Sequence, residues 1–257
     1  MRTAARKGDA AEGGCHNLTL YTGASGFSYD TWKGRFYPKT MPGSKMLGHY
    51  AARLNGVEVN GSFYRMPPAK TLDTWAAATP PEFRFCMKAS RGLTYSAQAF
   101  DKVGLARLFA ERVAPLESRL GPVLLQFPPV RHLDPALLDS LLGALRGPVA
   151  CEFRHESWFV EETYAVIREH GGALVVTDEE KWPRAPLVAL GPFAYFRLRR
   201  RYPPKALAEW IETVRSALTA HDDLHVYFKH DPQAPRLALR VQAALGGGAG
   251  SGSRRSR

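Results

Sequence analysis

Short apolar runs recur along the chain at near-regular intervals, and each is followed by a segment of helical or loop character. The runs are 18–23, 56–60, 83–88, 123–127, 149–154, 173–178, 193–198 and 224–229. Each has the length of a strand, and most are rich in the β-branched and aromatic residues that fit a pleated, buried surface. Between them, segment 44–54 places Met46, Leu47, Tyr50, Ala51 and Leu54 at helical spacing. Segment 69–78 reads as a helix closed by Pro80-Pro81, and 97–119 as a longer one bent or split at Pro115. Asp134 before Pro135 is an N-cap followed by a first-turn proline, and a helix over 157–170 stops at Gly171-Gly172. Segments 206–220 and 235–245 complete the helices, while the crossover 179–191, with Pro183 and Pro186, reads as irregular.

Eight strands, each followed by a crossover, predict an α/β fold, a single TIM-type (β/α)8 barrel over residues 18–245. An open doubly wound sheet competes, but no GxGxxG or GxxxxGK[ST] phosphate loop follows any strand. Residues 1–17 and the Gly/Ser/Arg-rich residues 246–257 read as flexible tails, the first without the apolar stretch of a secretory signal.

Within a barrel, alternate strand residues face inward, and chemistry gathers where the strands end. Parity places Glu58 and Asn60 on one face of the second strand, opposite Val57 and Val59. It turns Cys86 and Lys88 inward from the third, Leu124 and Gln126 from the fourth, and Ala150, Glu152 and Arg154 from the fifth. Val176 and Asp178, Tyr195 and Arg197, and Tyr227 and Lys229 follow from the last three, with His155, His230 and Asp231 opening loops beside them. So many charges are seldom buried without pairing or use. Satisfied ion pairs that only fill the lumen, such as Glu58 with Lys88 or Glu152 with Arg197, are the plainer alternative. Ser25, in the glycine-rich loop after the first strand, sits where backbone N–H groups can approach an anion.

Composition narrows the field without naming a reaction. A hydrophobic fraction of 45% supports a large core, and no apolar run reaches the roughly 18 residues of a membrane-spanning helix. Cys15, Cys86 and Cys151 form no CxxC pair, which suits buried thiols in a reducing, cytoplasmic setting. The formal charge is +11, of which residues 1–17 carry +1 and residues 246–257 carry +3, leaving +7 on the body. That excess favours anionic partners, either phosphorylated small molecules or nucleic acid.

Several motifs, in order, resemble the DUF72 (YecE-like) family. They include Gly23-Ala24-Ser25-Gly26-Phe27-Ser28-Tyr29, Glu58-Val59-Asn60 with Ser62-Phe63-Tyr64-Arg65, Leu125-Gln126-Phe127-Pro128-Pro129, and Glu152-Phe153-Arg154-His155. Tyr195-Phe196-Arg197-Leu198-Arg199 and Tyr227-Phe228-Lys229-His230 match one branch of it. The resemblance implies a TIM barrel with a shared pocket, to which Tyr64 is added as a binding residue, and no settled reaction. Ala24 and the pair Thr94-Tyr95, where Thr-His is usual, depart from the pattern.

The leading expectation is an enzyme, a hydrolase or lyase, acting on a small phosphate- or carboxylate-bearing substrate, with Glu58, Lys88 and Glu152 as catalytic groups. Glu58 and Glu152 would form an acid/base pair, and Lys88 a nucleophile or Schiff-base former. Ser25, Asn60, Tyr64, Gln126, Arg154, His155, Asp178, Arg197, Lys229 and His230 would bind the substrate. A metal-assisted phosphoester hydrolase using Glu58, Glu152, Asp178 and His230 is one alternative, although inward cations oppose a metal ion there. A non-enzymatic nucleic-acid-binding or scaffold protein, using the tails and Arg199, Arg200 and Arg201, is the other. Neither a cofactor nor a resident metal is specified by any motif.

Overall fold

The computed structural model describes residues 19–96 and 100–246. Its strands are β1 Thr19–Ala24, β2 Gly56–Val59, β3 Arg84–Met87, β4 Val123–Phe127, β5 Val149–Phe153, β6 Ala173–Asp178, β7 Phe193–Leu198 and β8 Asp223–Phe228. Three coincide with the predicted runs and the others differ by a residue at one or both ends; Leu18 and the tails apart from Gly246 lie outside the described residues, as does Cys15.

Parallel pairing joins the strands in the order β1-β8-β7-β6-β5-β4, with β2 and β3 paired separately. The expected closed sheet is therefore not continuous. Single parallel bridges link the pieces, Ser25 with Glu58 on one side, and Phe85 with Leu120 and Lys88 with Leu124 on the other. At the β1–β2 seam, side chains take the place of a backbone ladder. Asn55 accepts from the Thr22 N–H (2.9 Å) and donates to the Leu20 carbonyl (2.7 Å). The Tyr50 hydroxyl accepts from the Ala24 N–H (2.8 Å) and donates to the Gly56 carbonyl (3.0 Å). Gly23 permits this closeness, because a Cβ there would stand 1.9 Å from the Gly56 oxygen.

The helices are α1 Gly43–Ala51, α2 Ala69–Ala77, α3 Arg91–Thr94, α4 Lys102–Val113, α5 Pro135–Leu145, α6 Glu161–Glu169, α7 Pro204–Ser216 and α8 Ala234–Leu245. Asp134 caps α5 as expected, its carboxylate accepting from the Leu137 N–H at 3.0 Å. The long helix expected over 97–119 is shorter. Residues 97–99 lie outside the described residues, Asp101 caps the start of α4, and the chain tightens into a 3-10 turn, Ala114–Arg119, around Pro115. The helix expected from residue 157 likewise begins with a separate turn, Glu156–Trp158. No helix forms between β6 and β7.

Two hydrophobic clusters separate the faces of the strands. Cys86, Leu124, Ala150, Ala173, Val175, Phe193, Tyr195 and Tyr227 meet on the inner face, and alternate residues such as Phe85, Leu125, Cys151, Val176 and Phe196 pack outward beneath the helices. This confirms the parity read for β3, β4, β5 and β7. It corrects β6, where Ala173 and Val175 face inward and Val176 with Asp178 face out. Trp32 and Trp158 are fully buried and serve packing. Among the described residues no helix is long and apolar enough to cross a membrane.

Candidate functional site

At the C-terminal ends of β2, β4, β5 and β7, polar side chains replace the apolar inner cluster. Arg197 is the hub. Its Nε and Nη2 donate to the two oxygens of Glu58, both at 2.8 Å, and its Nη1 donates to Glu152. Glu58 also accepts from Ser25 Oγ (2.8 Å), Asn60 Nδ2 (3.0 Å) and the Tyr195 hydroxyl (3.1 Å). Glu152 accepts from Gln126 Nε2 (2.7 Å) and Arg154 Nε (3.2 Å). The Gln126 amide oxygen in turn takes Lys88 Nζ and the Tyr95 hydroxyl, each at 2.8 Å. Arg199 closes the chain of contacts, donating to Ser25 Oγ at 2.7 Å and lying 3.8 Å from Glu58.

Both carboxylates are buried, and burial alone would raise their proton affinity. Arg197 more than reverses this for Glu58, whose pKa falls well below the carboxylate range. For Glu152, Arg197, Arg154 and Lys88 together bring it down to about 2. Both are therefore held as carboxylates, and the arginines push the two proton affinities the same way rather than apart. Lys88 is shifted in its own way. Burial, then the charge of Arg197, lowers its pKa to about 7 against the opposing pull of Glu152 and Glu58. Its ammonium lies 4.1 Å from the centre of the Phe63 ring. That ring, with Tyr64, Ser90, Arg91, Tyr95 and Phe100, lines an open hollow of about 530 Å³ beside the network.

Of the residues singled out in the sequence, Ser25, Glu58, Asn60, Lys88, Gln126, Glu152, Arg154 and Arg197 come together. Tyr64 stands at the wall of the hollow, 74% exposed. Four others do not join the network. Asp178 points outward, accepting from Tyr202 (2.7 Å) and Trp210 Nε1 (3.0 Å), because β6 has the opposite parity from that predicted. His155 accepts from the Ser157 N–H and caps its own turn. Lys229 and His230 are exposed, the His230 ring stacked on Tyr29 with centroids 5.1 Å apart. Glu58, Glu152, Asp178 and His230 thus do not converge as metal ligands; among the described residues no group of three or more His, Cys, Asp or Glu is arranged to hold a metal ion.

Sequence reasoning turned Tyr195, Cys86 and Tyr227 inward and took Tyr95 only as a departure from the family pattern, but gave their polar atoms no part and missed His225. Tyr95 and Tyr195 supply hydroxyls that a hydrophobic reading treats as core. Beneath the network Cys86 Sγ and His225 Nδ1 each lie 3.2 Å from the Tyr227 hydroxyl. Burial drives that thiol up to about 12 and the imidazole down to about 3, so both are neutral.

Residues 21–255 match the family model described as "Protein of unknown function DUF72". The chain is 30% identical over 177 residues to the UPF0759 protein YunF of Bacillus subtilis (strain 168), covering 62% of this chain and 61% of YunF. It is 32% identical over 148 residues to the UPF0759 protein YecE of Escherichia coli (strain K12), covering 55% and 51%. The matches thus span between half and three fifths of these curated relatives. Among solved structures, a DUF72 family protein from Thermotoga maritima MSB8 has a TM-score of 0.78 at 30% identity, covering 89% of this chain and 99% of that one. A second, from Enterococcus faecalis V583, has a TM-score of 0.72 at 25% identity, covering 90% and 99%.

Proposed function

This chain belongs to the DUF72 family, and from that premise we propose that it is an enzyme acting on a small phosphate- or carboxylate-bearing substrate. The eight strands are read as a single (β/α)8 barrel over residues 18–245, whose mouth is the network around Arg197. One observation carries the reading: three guanidiniums, Arg154, Arg197 and Arg199, share two carboxylates, Glu58 and Glu152, with the Lys88 amine held beside them on Gln126. A network built only to fill a lumen would balance its charges, since an uncompensated buried charge is costly. The excess is met by an anion that accepts the free guanidinium donors of Arg154 and Arg199.

Lys88 is the group suited to chemistry. With a pKa near 7 it is partly unprotonated at neutral pH and acts as a general base or amine nucleophile, in a hydrolase or lyase reaction. Gln126 and Phe63 position it, Asn60 and Ser25 hold Glu58, and the two carboxylates fix the arginines. The hollow between Phe63, Tyr64 and Tyr95 supplies room for the rest of the substrate.

The test is a thermal-shift screen of sugar phosphates, nucleotides and small carboxylates on the wild type and Lys88→Ala. A ligand at 100 times its Kd should stabilise the wild type by about 2.7 kcal/mol, and the shift should disappear in Lys88→Ala. If no compound shifts the wild type, or every shift survives the substitution, the reading fails.

A further inference from the structure

A second cleft opens beside the candidate site and takes no part in it. It encloses about 640 Å³ and is lined by Arg35 from the segment after β1, Arg201 from that after β7, and Arg236 and Arg240 from α8. All four arginines are exposed, and none makes an ion pair with a described residue. Asp231 is the one acidic residue in the lining, and its carboxylate accepts the Gln233 backbone N–H at 2.7 Å, closing its own turn. The lining therefore carries a net charge of +3.

Such an arrangement works against the free protein. Arg236 and Arg240 are one turn apart on the same face of α8, a spacing at which like charges destabilise a helix. The positive ends of α7 and α8 enter the same cleft, and neither is capped by a side chain. Pro203, Pro204 and Pro232 fix the walls, so the charges are held in a preformed hollow.

We propose that this cleft is a second anion site, distinct from the one around Lys88, and that it takes a short chain of linked phosphates. Guanidinium forks match phosphate oxygens in pairs. A terminal phosphate brings about 1.5 to 2 negative charges, so one phosphate falls short of the lining's charge and two or three meet it. A single carboxylate would leave most of the donors unused.

The probe is inorganic tripolyphosphate, titrated calorimetrically into the full chain as wild type, Arg236→Gln/Arg240→Gln and Lys88→Ala. Circular dichroism verifies that each variant is folded. The double variant should weaken binding by about tenfold or more, and Lys88→Ala should leave it within about twofold. Unchanged affinity in the double variant overturns the inference, and so does inorganic monophosphate binding as tightly as tripolyphosphate. Loss of binding in Lys88→Ala alone would move the phosphates to the candidate site and support that reading at this one's expense. A single-stranded oligothymidylate that binds more tightly than tripolyphosphate, and is weakened by the same double variant, would replace the linked phosphates with a nucleic-acid backbone.

Discussion

Lys88 and Arg197 feel the charge of the same two carboxylates, yet their proton affinities shift in opposite directions. Arg197 contacts both glutamates directly and is held charged. Lys88 reaches Glu152 only through Gln126, so desolvation and the guanidinium charge win and its proton affinity falls. The difference has a measurable sign. Between about pH 7 and pH 10.5 the unfolded chain holds a proton on Lys88 that the folded chain has released, so stability rises with pH across that window. Urea denaturation of the wild type and Lys88→Met from pH 6 to pH 10 isolates this contribution. The wild type should gain on the variant as pH rises, and parallel curves would show that Lys88 keeps its ordinary proton affinity. Much of this cluster was legible from alternation, because Glu58, Lys88, Gln126, Glu152 and Arg197 each interrupt a run with apolar neighbours. Asp178 was not. Both faces of β6 are apolar through Val175 and Val176, so its charged end gave a false anchor, and the tyrosine and tryptophan that satisfy it lie 24 and 32 residues away.

The elements themselves were plain wherever a local signal marks their ends. Asp134-Pro135 starts α5 and Gly171, at φ +60°, follows α6, as their chemistry requires. Where the end depends on strain the sequence is silent. Arg146 caps α5 in the left-handed region, at φ 52° and ψ 57°, a conformation that crowds any Cβ. Arg146→Gly should therefore stabilise the protein by about 0.5–1 kcal/mol despite the entropy glycine adds to the unfolded chain. Chemical denaturation measures it; a loss of stability would show that the arginine makes a compensating contact. The helix read over 97–119 splits at Pro115 as expected, though its first turn starts only at Lys102. The proline, legible in the sequence, and the positive φ of Glu117, which was not, turn the chain into a tighter coil that carries it to β4.

For the whole molecule, eight strands were legible and their closure was not. Apolar runs specify that strands exist, and their alternation with helices specifies parallel order; whether neighbouring backbones come within bonding distance is decided by seams of a few residues. The β3–β4 seam keeps backbone bonds, Gly121 N–H to Phe85 and Ala89 N–H to Leu124. The β1–β2 seam relies on Asn55 and Tyr50. Tyr50 is fully buried, and its hydroxyl satisfies one donor and one acceptor that water does not reach. Tyr50→Phe keeps the ring and orphans both groups, which should cost about 1–3 kcal/mol. If the side chain merely decorates a seam held by other contacts, the loss will be small and hydrogen exchange at the Ala24 amide will be unchanged. If it is the joint, that amide will lose protection. Glu58 should then loosen with it, because the Ser25–Glu58 bridge continues the same seam and ends at the carboxylate that Arg197 grips.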